Sequence, residues 1–302
     1  MNKPWLITIV GPTAVGKTSL AIDFAEKLGT EIISCDSRQI YRELIVGAAR
    51  PTDEQLNHIS HHFIAIRSVK DYYNASMFET ESLQLLKQLF EKHQAVIMTG
   101  GSGLYVDAVI NGIDDFPTTD PEVRQQLLKL FEKEGIEGLR NQLKRVDPVY
   151  YSQVDLRNSK RILKALEVNI MTGRPYSSFL LKTRKERPFN ILKIALNLDR
   201  KELHQRINLR VDEMVKKGLV EEAKSLFALK NLNALNTVGY KEMFDHLDGK
   251  QTLEVAIELI KRNTRRYARR QISYFSRDKE YHWFHPDEKE KILNYILENI
   301  VI

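Results

Sequence analysis

Trp5-Leu6-Ile7-Thr8-Ile9-Val10, Gly11-Pro12-Thr13-Ala14-Val15-Gly16-Lys17-Thr18 and the stretch to Leu28 decide the fold. The apolar hexapeptide reads as a short strand, the octapeptide satisfies G-x-x-x-x-G-K-[ST], and Thr18 to Leu28 reads as an amphipathic helix, which is the context a phosphate-binding loop requires. The glycines let backbone N–H groups of this loop converge on phosphate oxygens at the positive end of the helix. Lys17 adds a mobile cation, and the Thr18 hydroxyl can ligate Mg²⁺. A plain glycine turn is the alternative.

Working outward, Glu31 to Cys35 is a second strand, so the opening is a βαβ unit. A polar, turn-rich stretch from Arg50 to His62, a helix from Ser76 to Lys92 and a third strand, Ala95 to Thr99, follow; Gly100 and Gly101 close that strand. Alternating strands and helices predict an α/β fold, a P-loop-type parallel sheet with helices on both faces. Between Pro117 and Pro188 the strand signals vanish and Pro121–Lys133, Glu137–Arg145 and Ser159–Thr172 read as helices, an all-helical insertion. A strand returns at Ile191–Leu198, followed by Asp199 as an N-cap with Glu202 three positions on and a long helix to about Lys217. The expected organisation is therefore a first part of the P-loop core at 1–116, a helical insertion at 117–190, and core completion with basic C-terminal helices at 191–302.

The 302 residues are 42% hydrophobic and 28% charged, which excludes collagen, coiled coil and wholesale disorder. No apolar run approaches a membrane span and no secretory h-region opens the chain, so no membrane partner is expected and the predicted location is cytoplasmic. The single cysteine, Cys35, fits a reducing compartment and reads as a small buried strand residue rather than a nucleophile. Charge is uneven: residues 1–118 carry 10 Lys+Arg against 14 Asp+Glu, although the whole chain is +6. The positive field therefore lies in the later part, a distribution suited to a polyanion, as well as to non-specific binding.

Asp36 follows the second strand, at the sheet edge where open α/β folds place ligands, and can serve as a base, a metal ligand or a turn cap. It heads Asp36-Ser37-Arg38-Gln39, four hydrogen-bonding side chains at one edge. Phosphoryl-transfer P-loop enzymes usually place a metal-binding Asp at the end of a later strand; here Thr99-Gly100-Gly101-Ser102-Gly103 offers glycines and hydroxyls. Two facing glycine cradles suit a diphosphate released whole, while a tight strand-to-helix turn explains the same glycines. Over 256–277 helical phase gathers Lys261, Arg262, Arg265, Arg266, Arg269, Arg270 and Arg277 on one half and Ala256, Ile257, Ile260, Tyr267, Ala268, Tyr274 and Phe275 on the other. No acid falls between 259 and 277, so the cationic half reads as a phosphate-binding stripe, the alternative being a solvated basic face.

The chain resembles the tRNA dimethylallyltransferases, also called tRNA isopentenyltransferases. The resemblance rests on Gly11–Thr18, Asp36–Gln39 with Tyr41 and Arg42, Gly47–Pro51, His61-His62, Gly100–Tyr105, Asp120–Arg124, Arg161 with Ala165–Val168, Arg206 and Arg210, and Val238-Gly239-Tyr240, all in the family's order. Ser102 and Ala48 stand where the family commonly has Thr, and Asn236 where bacterial members are often basic. The resemblance implies transfer of a dimethylallyl group from its diphosphate to N6 of adenosine 37 of tRNA, by a monomer using Mg²⁺. It implies catalytic Asp36, Lys17, Ser102 and Arg210, diphosphate binding by Gly11–Thr18 (Gly11, Pro12, Thr13, Ala14, Val15, Gly16, Lys17, Thr18) and Arg210, and metal ligation by Thr18 and Asp36. For the tRNA anticodon stem-loop it implies Asp36, Ser37, Arg38, Gln39, Ser102, Arg124, Lys160, Arg161, Ile162, Leu163, Lys164, Arg265, Arg266 and Arg269. The competing readings are a small-molecule or nucleotide kinase, prenyl transfer to free adenine nucleotides, and an RNA-binding P-loop protein without chemistry. For Arg206 and Arg210 the alternative is a surface helix in which Glu202 pairs with Arg206.

Overall fold

The computed structural model describes residues 3–114, 120–180 and 184–300. Its elements are β1 (Trp5–Val10), α1 (Lys17–Leu28), β2 (Ile32–Ser34), α2 (Asp53–His58), β3 (His61–His62), α3 (Ala75–Leu89), β4 (Ala95–Gly100) and α4 (Gly103–Ile110), then α5 (Pro121–Val146), α6 (Pro148–Tyr151) and α7 (Ser159–Thr172). β5 (Asn190–Leu196), α8 (Arg200–Lys216), α9 (Leu219–Ser225), α10 (Tyr240–Leu247), α11 (Leu253–Phe275), β6 (His282–Phe284) and α12 (Lys289–Asn299) complete the order.

The six strands form one sheet in the order β3-β2-β4-β1-β5-β6, and every pairing is parallel. Both alternating sets of side chains on β1 and β4 are buried, apart from half-buried Trp5, so helices cover both faces. On one face Ile7 and Ile9 meet Leu20 and Phe24 of α1, Ile207 of α8 and Ile292 and Ile296 of α12. Because the chain leaves β1 toward β2 on one side and leaves β4 toward β5 on the other, the loop after β1 opens at a topological switch point between β1 and β4. The parallel arrangement also brings the ends of β1, β2 and β4 to the same edge, which places the phosphate loop, Asp36 and the second glycine turn near one another.

Residues 1–111 with 186–302 form one compact unit and 112–185 a second. The expected boundary between 116 and 117 lies outside the described residues; at the other end Asn190 already belongs to β5. In the second unit Leu127, Leu139, Leu143, Ile162, Leu163, Ala165 and Leu166 make a separate core. The helical pair expected at 121–133 and 137–145 is present as α5, broken at Gly135, whose φ of 65° and ψ of −162° interrupt the helix.

Two local readings are corrected. The turn-rich stretch after Arg50 contains α2 and β3; Thr52 Oγ1 accepts from Gln55 N while the Gln55 side chain accepts from Thr52 N, closing a reciprocal cap over a helix too short for periodicity to reveal. Asp199 does cap α8, accepting from Lys201 N at 2.8 Å, but Glu202 turns along the helix to Arg206, at 2.8 Å, instead of back to the cap.

Candidate active site

The loop after β1 owes its shape to close approach. Gly11 has φ 143°, and a Cβ there would lie 2.5 Å from the carbonyl oxygen of Leu196 in β5, so only glycine fits. Ala14 is held at φ 65°, a left-handed conformation that costs a β-carbon-bearing residue about 1 kcal/mol. The N-terminus of α1 carries no side-chain cap and no acid in its first turn, so its positive end is left for an anion. Lys17 folds back so that Nζ donates to the carbonyls of Gly11, at 3.0 Å, and Pro12, at 2.7 Å. Burial, and then the neighbouring Arg210 guanidinium, lower its pKa to about 8.

Asp36 lies two residues beyond β2. Its Oδ1 accepts from the backbone N–H of Arg38, at 2.8 Å, and more distantly from Gln39, at 3.4 Å. This Asx turn fixes the carboxylate by one oxygen, while Oδ2 accepts no hydrogen bond from the described residues. Gln39 is fixed in turn, its Oε1 accepting from Ser34 Oγ at 3.1 Å and its Nε2 donating to the carbonyls of Ala48 and Ala49. Thr13, Lys17, Thr18, Asp36, Gln39 and Arg210 all line one cavity, together with Thr99, Gly100, Gly101, His61, Tyr267 and Gln271. Arg210 comes from α8; burial lowers its pKa, while the Asp36 carboxylate pulls it back up. Burial and then Asp36 push the Tyr267 phenol up to about 12, so it stays protonated at neutral pH.

The second glycine turn has steric as well as functional reasons. A Cβ at Gly101 would lie 2.0 Å from Gln271 Nε2, and those at Gly100 and Gly103 would strike Cys35 and the Tyr274 ring. Gln271 bridges the two turns: Nε2 donates to Gly101 O at 2.9 Å, and Oε1 accepts from Thr13 N at 2.9 Å. Ser102 Oγ accepts from Ser37 N at 3.0 Å and donates to Ser37 Oγ at 3.1 Å, tying this turn to the Asp36 segment. Gln271 and Tyr267 were missed by the sequence reading, which put Tyr267 on the docking face of its helix and singled out no role for Gln271. Cys35 is fully buried, and burial raises its thiol pKa far above neutrality, in line with a strand residue.

Several expected tRNA contacts fall elsewhere. Ile162 and Leu163 are 0% and 3% exposed in the core of the second unit, so their side chains cannot meet RNA; the assignment took a contiguous stretch whose helical phase turns those two inward. Lys160 and Arg161 on the same helix are exposed. Arg124 pairs with the buried Glu167, and Lys164 is half-buried. Arg38 is engaged outside the cavity lining, donating to the Ala234 carbonyl at 2.8 Å. On α11 the stripe loses Lys261, which pairs with Asp212 of α8 at 2.8 Å and with Glu258, acids that a scan of 259–277 could not count. Arg265 donates to Asn208 at 2.5 Å, whereas Arg262, Arg266, Arg269, Arg270 and Arg277 are exposed. Arg206 pairs with Glu202 at 2.8 Å, and its guanidinium also lies beside the 11–18 loop, 4.0 Å from where a Cβ at Gly16 would stand.

Among the described residues no group of three or more His, Cys, Asp or Glu side chains forms a metal cage. The cavity nevertheless fits Mg²⁺, which takes one or two protein oxygens and fills the rest of its octahedron with water and phosphate oxygens. The Thr18 hydroxyl supplies such an oxygen; Asp36 has a single unengaged oxygen, Oδ2, which can serve a metal or a proton but not both at once. No helix among the described residues is long and apolar enough to cross a membrane.

Residues 39–278 match the profile of a family described as IPP transferase. A protein of Bacteroides fragilis named tRNA dimethylallyltransferase 1 is 51% identical over 300 residues, 99% of this chain and 100% of its own. The crystal structure of the tRNA isopentenylpyrophosphate transferase of Bacillus halodurans aligns with a TM-score of 0.71 at 34% identity, covering 98% of this chain and 96% of that one. A eukaryotic dimethylallyltransferase acting on tRNA shares the fold with a TM-score of 0.82 at 23% identity, covering 99% of this chain and 81% of its own. With a profile spanning most of its length and relatives at half identity over nearly all of it, the chain belongs to the IPP transferase family.

Proposed function

We propose that this protein transfers a dimethylallyl group from dimethylallyl diphosphate to N6 of adenosine 37 in tRNA, releasing diphosphate. The observation that carries the reading is that one cavity is lined by a phosphate loop, an arginine and a carboxylate with one oxygen unengaged. The adenine amine is a weak nucleophile because its lone pair is delocalised into the ring, so a base must take its proton as the new C–N bond forms. Asp36 is that base, held by Oδ1 and presenting Oδ2. As the allylic C–O bond breaks, the electron pair leaves with the diphosphate. Lys17, the loop amides and Arg210 stabilise the charge that grows there. Thr18 would hold Mg²⁺, whose charge would assist the same departure, while Asp36 Oδ2 is kept for the proton. Ser102 acts through Ser37, keeping the Asp36 segment in place.

The exposed arginines of α11, with Lys160 and Arg161 of α7, supply phosphate contacts for the anticodon stem-loop. Adenosine 37 lies in a single-stranded loop, so turning it into a pocket costs only a few kcal/mol. Every group the reaction requires comes from a single chain, which supports a monomer, and the reducing compartment suggested by one buried thiol supports a cytoplasmic enzyme.

The test is incubation with unmodified tRNA and dimethylallyl diphosphate, followed by mass spectrometry of the digested nucleosides. Isopentenyladenosine is expected, and transfer of the ATP γ-phosphate in a parallel reaction would favour a kinase instead. Asp36→Asn should still bind tRNA and prenyl diphosphate while losing about 10²–10⁴-fold in turnover; undiminished product formation would remove Asp36 from the role of base.

A further inference from the structure

A group outside the cavity holds part of its wall in place. The loop at 45–47 presents three consecutive backbone N–H groups to one carboxylate, that of Glu222 in α9. Oε2 accepts from Ile45 at 3.0 Å and Val46 at 2.8 Å, and Oε1 accepts from Gly47 at 2.8 Å. Oε1 also accepts from the Tyr240 hydroxyl at 2.5 Å. Tyr240 is 0% exposed, and a Cβ at Gly47 would lie 2.5 Å from its ring, so loop and ring are in direct contact. The tyrosine is itself rooted: Gly239 N donates to Glu242, at 2.8 Å, and Asn263 of α11 donates to the other Glu242 oxygen, at 2.7 Å.

The same loop then turns to the cavity. Ala49 is in the left-handed region at φ 45°, and the carbonyls of Ala48 and Ala49 receive the Gln39 amide. Those two acceptors fix which way round the amide stands, since Nε2 must face them and Oε1 must face Ser34 Oγ. Gln39 lines the cavity directly after Arg38 on the turn whose Arg38 and Gln39 amides hold Asp36, so its orientation and that of the carboxylate are set together. A second tie from the same region, Arg38 to the Ala234 carbonyl, secures the turn from outside.

We propose that Glu222 is a positioning residue: by holding the 45–47 amides it fixes the carbonyls that orient Gln39 toward the adenosine. This rests on the assignment of the Asp36–Gln39 segment to the nucleoside. It predicts an effect on tRNA use that leaves the phosphate loop untouched, because nothing in the chain of contacts from Glu222 to Gln39 passes through residues 11–18.

The experiment is a double-mutant cycle between Glu222→Gln and Gln39→Ala, using steady-state kinetics with tRNA at a temperature well below every variant's melting point. Glu222→Gln sets an amide donor against backbone donors and should lower kcat/KM for tRNA about tenfold or more, with the Kd for dimethylallyl diphosphate within about twofold of wild type. In the Gln39→Ala background the same substitution should cost nothing further, because the side chain it orients is gone. Tyr240→Phe keeps the ring against Gly47 and all three amide contacts, so it should retain kcat/KM within about threefold. Effects of Glu222→Gln and Gln39→Ala that multiply, or a Glu222→Gln enzyme indistinguishable from wild type beside an impaired Gln39→Ala, overturn the proposal while leaving the nucleoside assignment standing. An unimpaired Gln39→Ala overturns both. If Glu222→Gln does not accumulate as folded protein, Glu222→Asp, which keeps the charge but cannot reach all three amides, takes its place in the cycle under the same criteria.

Discussion

A lysine ammonium beside an arginine, with little water around it, is a proton poorly held. Burial and Arg210 bring the Lys17 pKa down to about 8 from an ordinary 10.5. Bound diphosphate favours the charged form, so binding takes up a proton once the pH exceeds the value in the free enzyme. The affinity for dimethylallyl diphosphate should therefore be steady just below pH 8 and weaken above it, by up to about tenfold per pH unit. The ligand's own last ionisation lies near about 6, as in phosphate monoesters, and does not interfere in that range. Titration calorimetry from pH 7 to 9.5 checks this, and Lys17→Met should bind more weakly with a flat profile; a flat wild-type profile would contradict it. Stability runs the other way: the folded value lies below the unfolded one, so the unfolded chain binds more protons between about 8 and 10.5, and Lys17's contribution to stability rises across that window. The places of Lys17, Thr18 and Asp36 at the cavity were legible in the sequence because each is set by its distance from a strand end, whereas Arg210 was singled out only by the family resemblance. Gln271 was not, because its partners lie 258 and 170 positions away and nothing local marks a glutamine as the bridge between two turns. Ile162 and Leu163 came with a stretch of sequence taken whole, within which helical phase turns their side chains into the core.

At the scale of one element, α11 does two things with two faces. Inward it supplies Tyr267 and Gln271 to the cavity and Tyr274 to the second glycine turn; outward it presents Arg262, Arg266, Arg269 and Arg270. The amphipathic division was visible as periodicity, but which cations remain unpaired depends on acids of other elements, as Asp212 shows for Lys261. Arg266→Ala with Arg269→Ala should therefore weaken tRNA binding and reduce the slope of log K against log[salt] by about 1.5, at about 0.7 to 0.9 per phosphate contact, without changing diphosphate affinity. An unchanged slope in filter binding across a salt series would place the RNA elsewhere. The inward face has its own test. Gly101→Ala alone drives a methyl into the Gln271 amide, with Nε2 2.0 Å and Cδ 3.2 Å away, whereas the nearest atom outside Gln271, Gly11 O, is 3.5 Å away and tolerates it. Gly101→Ala should therefore lose affinity for dimethylallyl diphosphate and melt several degrees lower, and adding Gln271→Ala should restore part of the melting temperature. Melting curves in which the double variant is worse by the sum of both losses would contradict the contact.

The whole molecule is a sheet built from both ends of the chain, with a helical unit inserted between β4 and β5. Its main layout was legible because parallel strands buried on both faces appear as short apolar runs and the insertion lacks them. The edge strand β3 was not, since two residues offer no period to detect. The junction after the insertion is anchored within the first unit: Arg187, with a side chain 8% exposed, pairs with Glu79 at 2.7 Å and donates to the carbonyls of Ala108 and Val109 at the end of α4. The inserted unit has its own core, in which Leu139 and Leu143 of α5 pack with Ile162 and Leu166 of α7, all at 0% exposure. Damage there should consequently be separable from damage to the cavity. Leu139→Ala removes a fully buried side chain and costs about 2–5 kcal/mol, a large share of what a unit of this size can hold in reserve. If the insertion serves tRNA and the first unit serves the diphosphate, this substitution should loosen 112–185 alone: amide hydrogen exchange should accelerate across α5 and α7 while β1, β4 and α1 keep their protection. Dimethylallyl diphosphate should bind with unchanged Kd, and the KM for tRNA should rise several-fold. Loss of diphosphate binding in step with loss of protection in α5 would mean that the two units unfold as one, and that the division of labour between them is wrong.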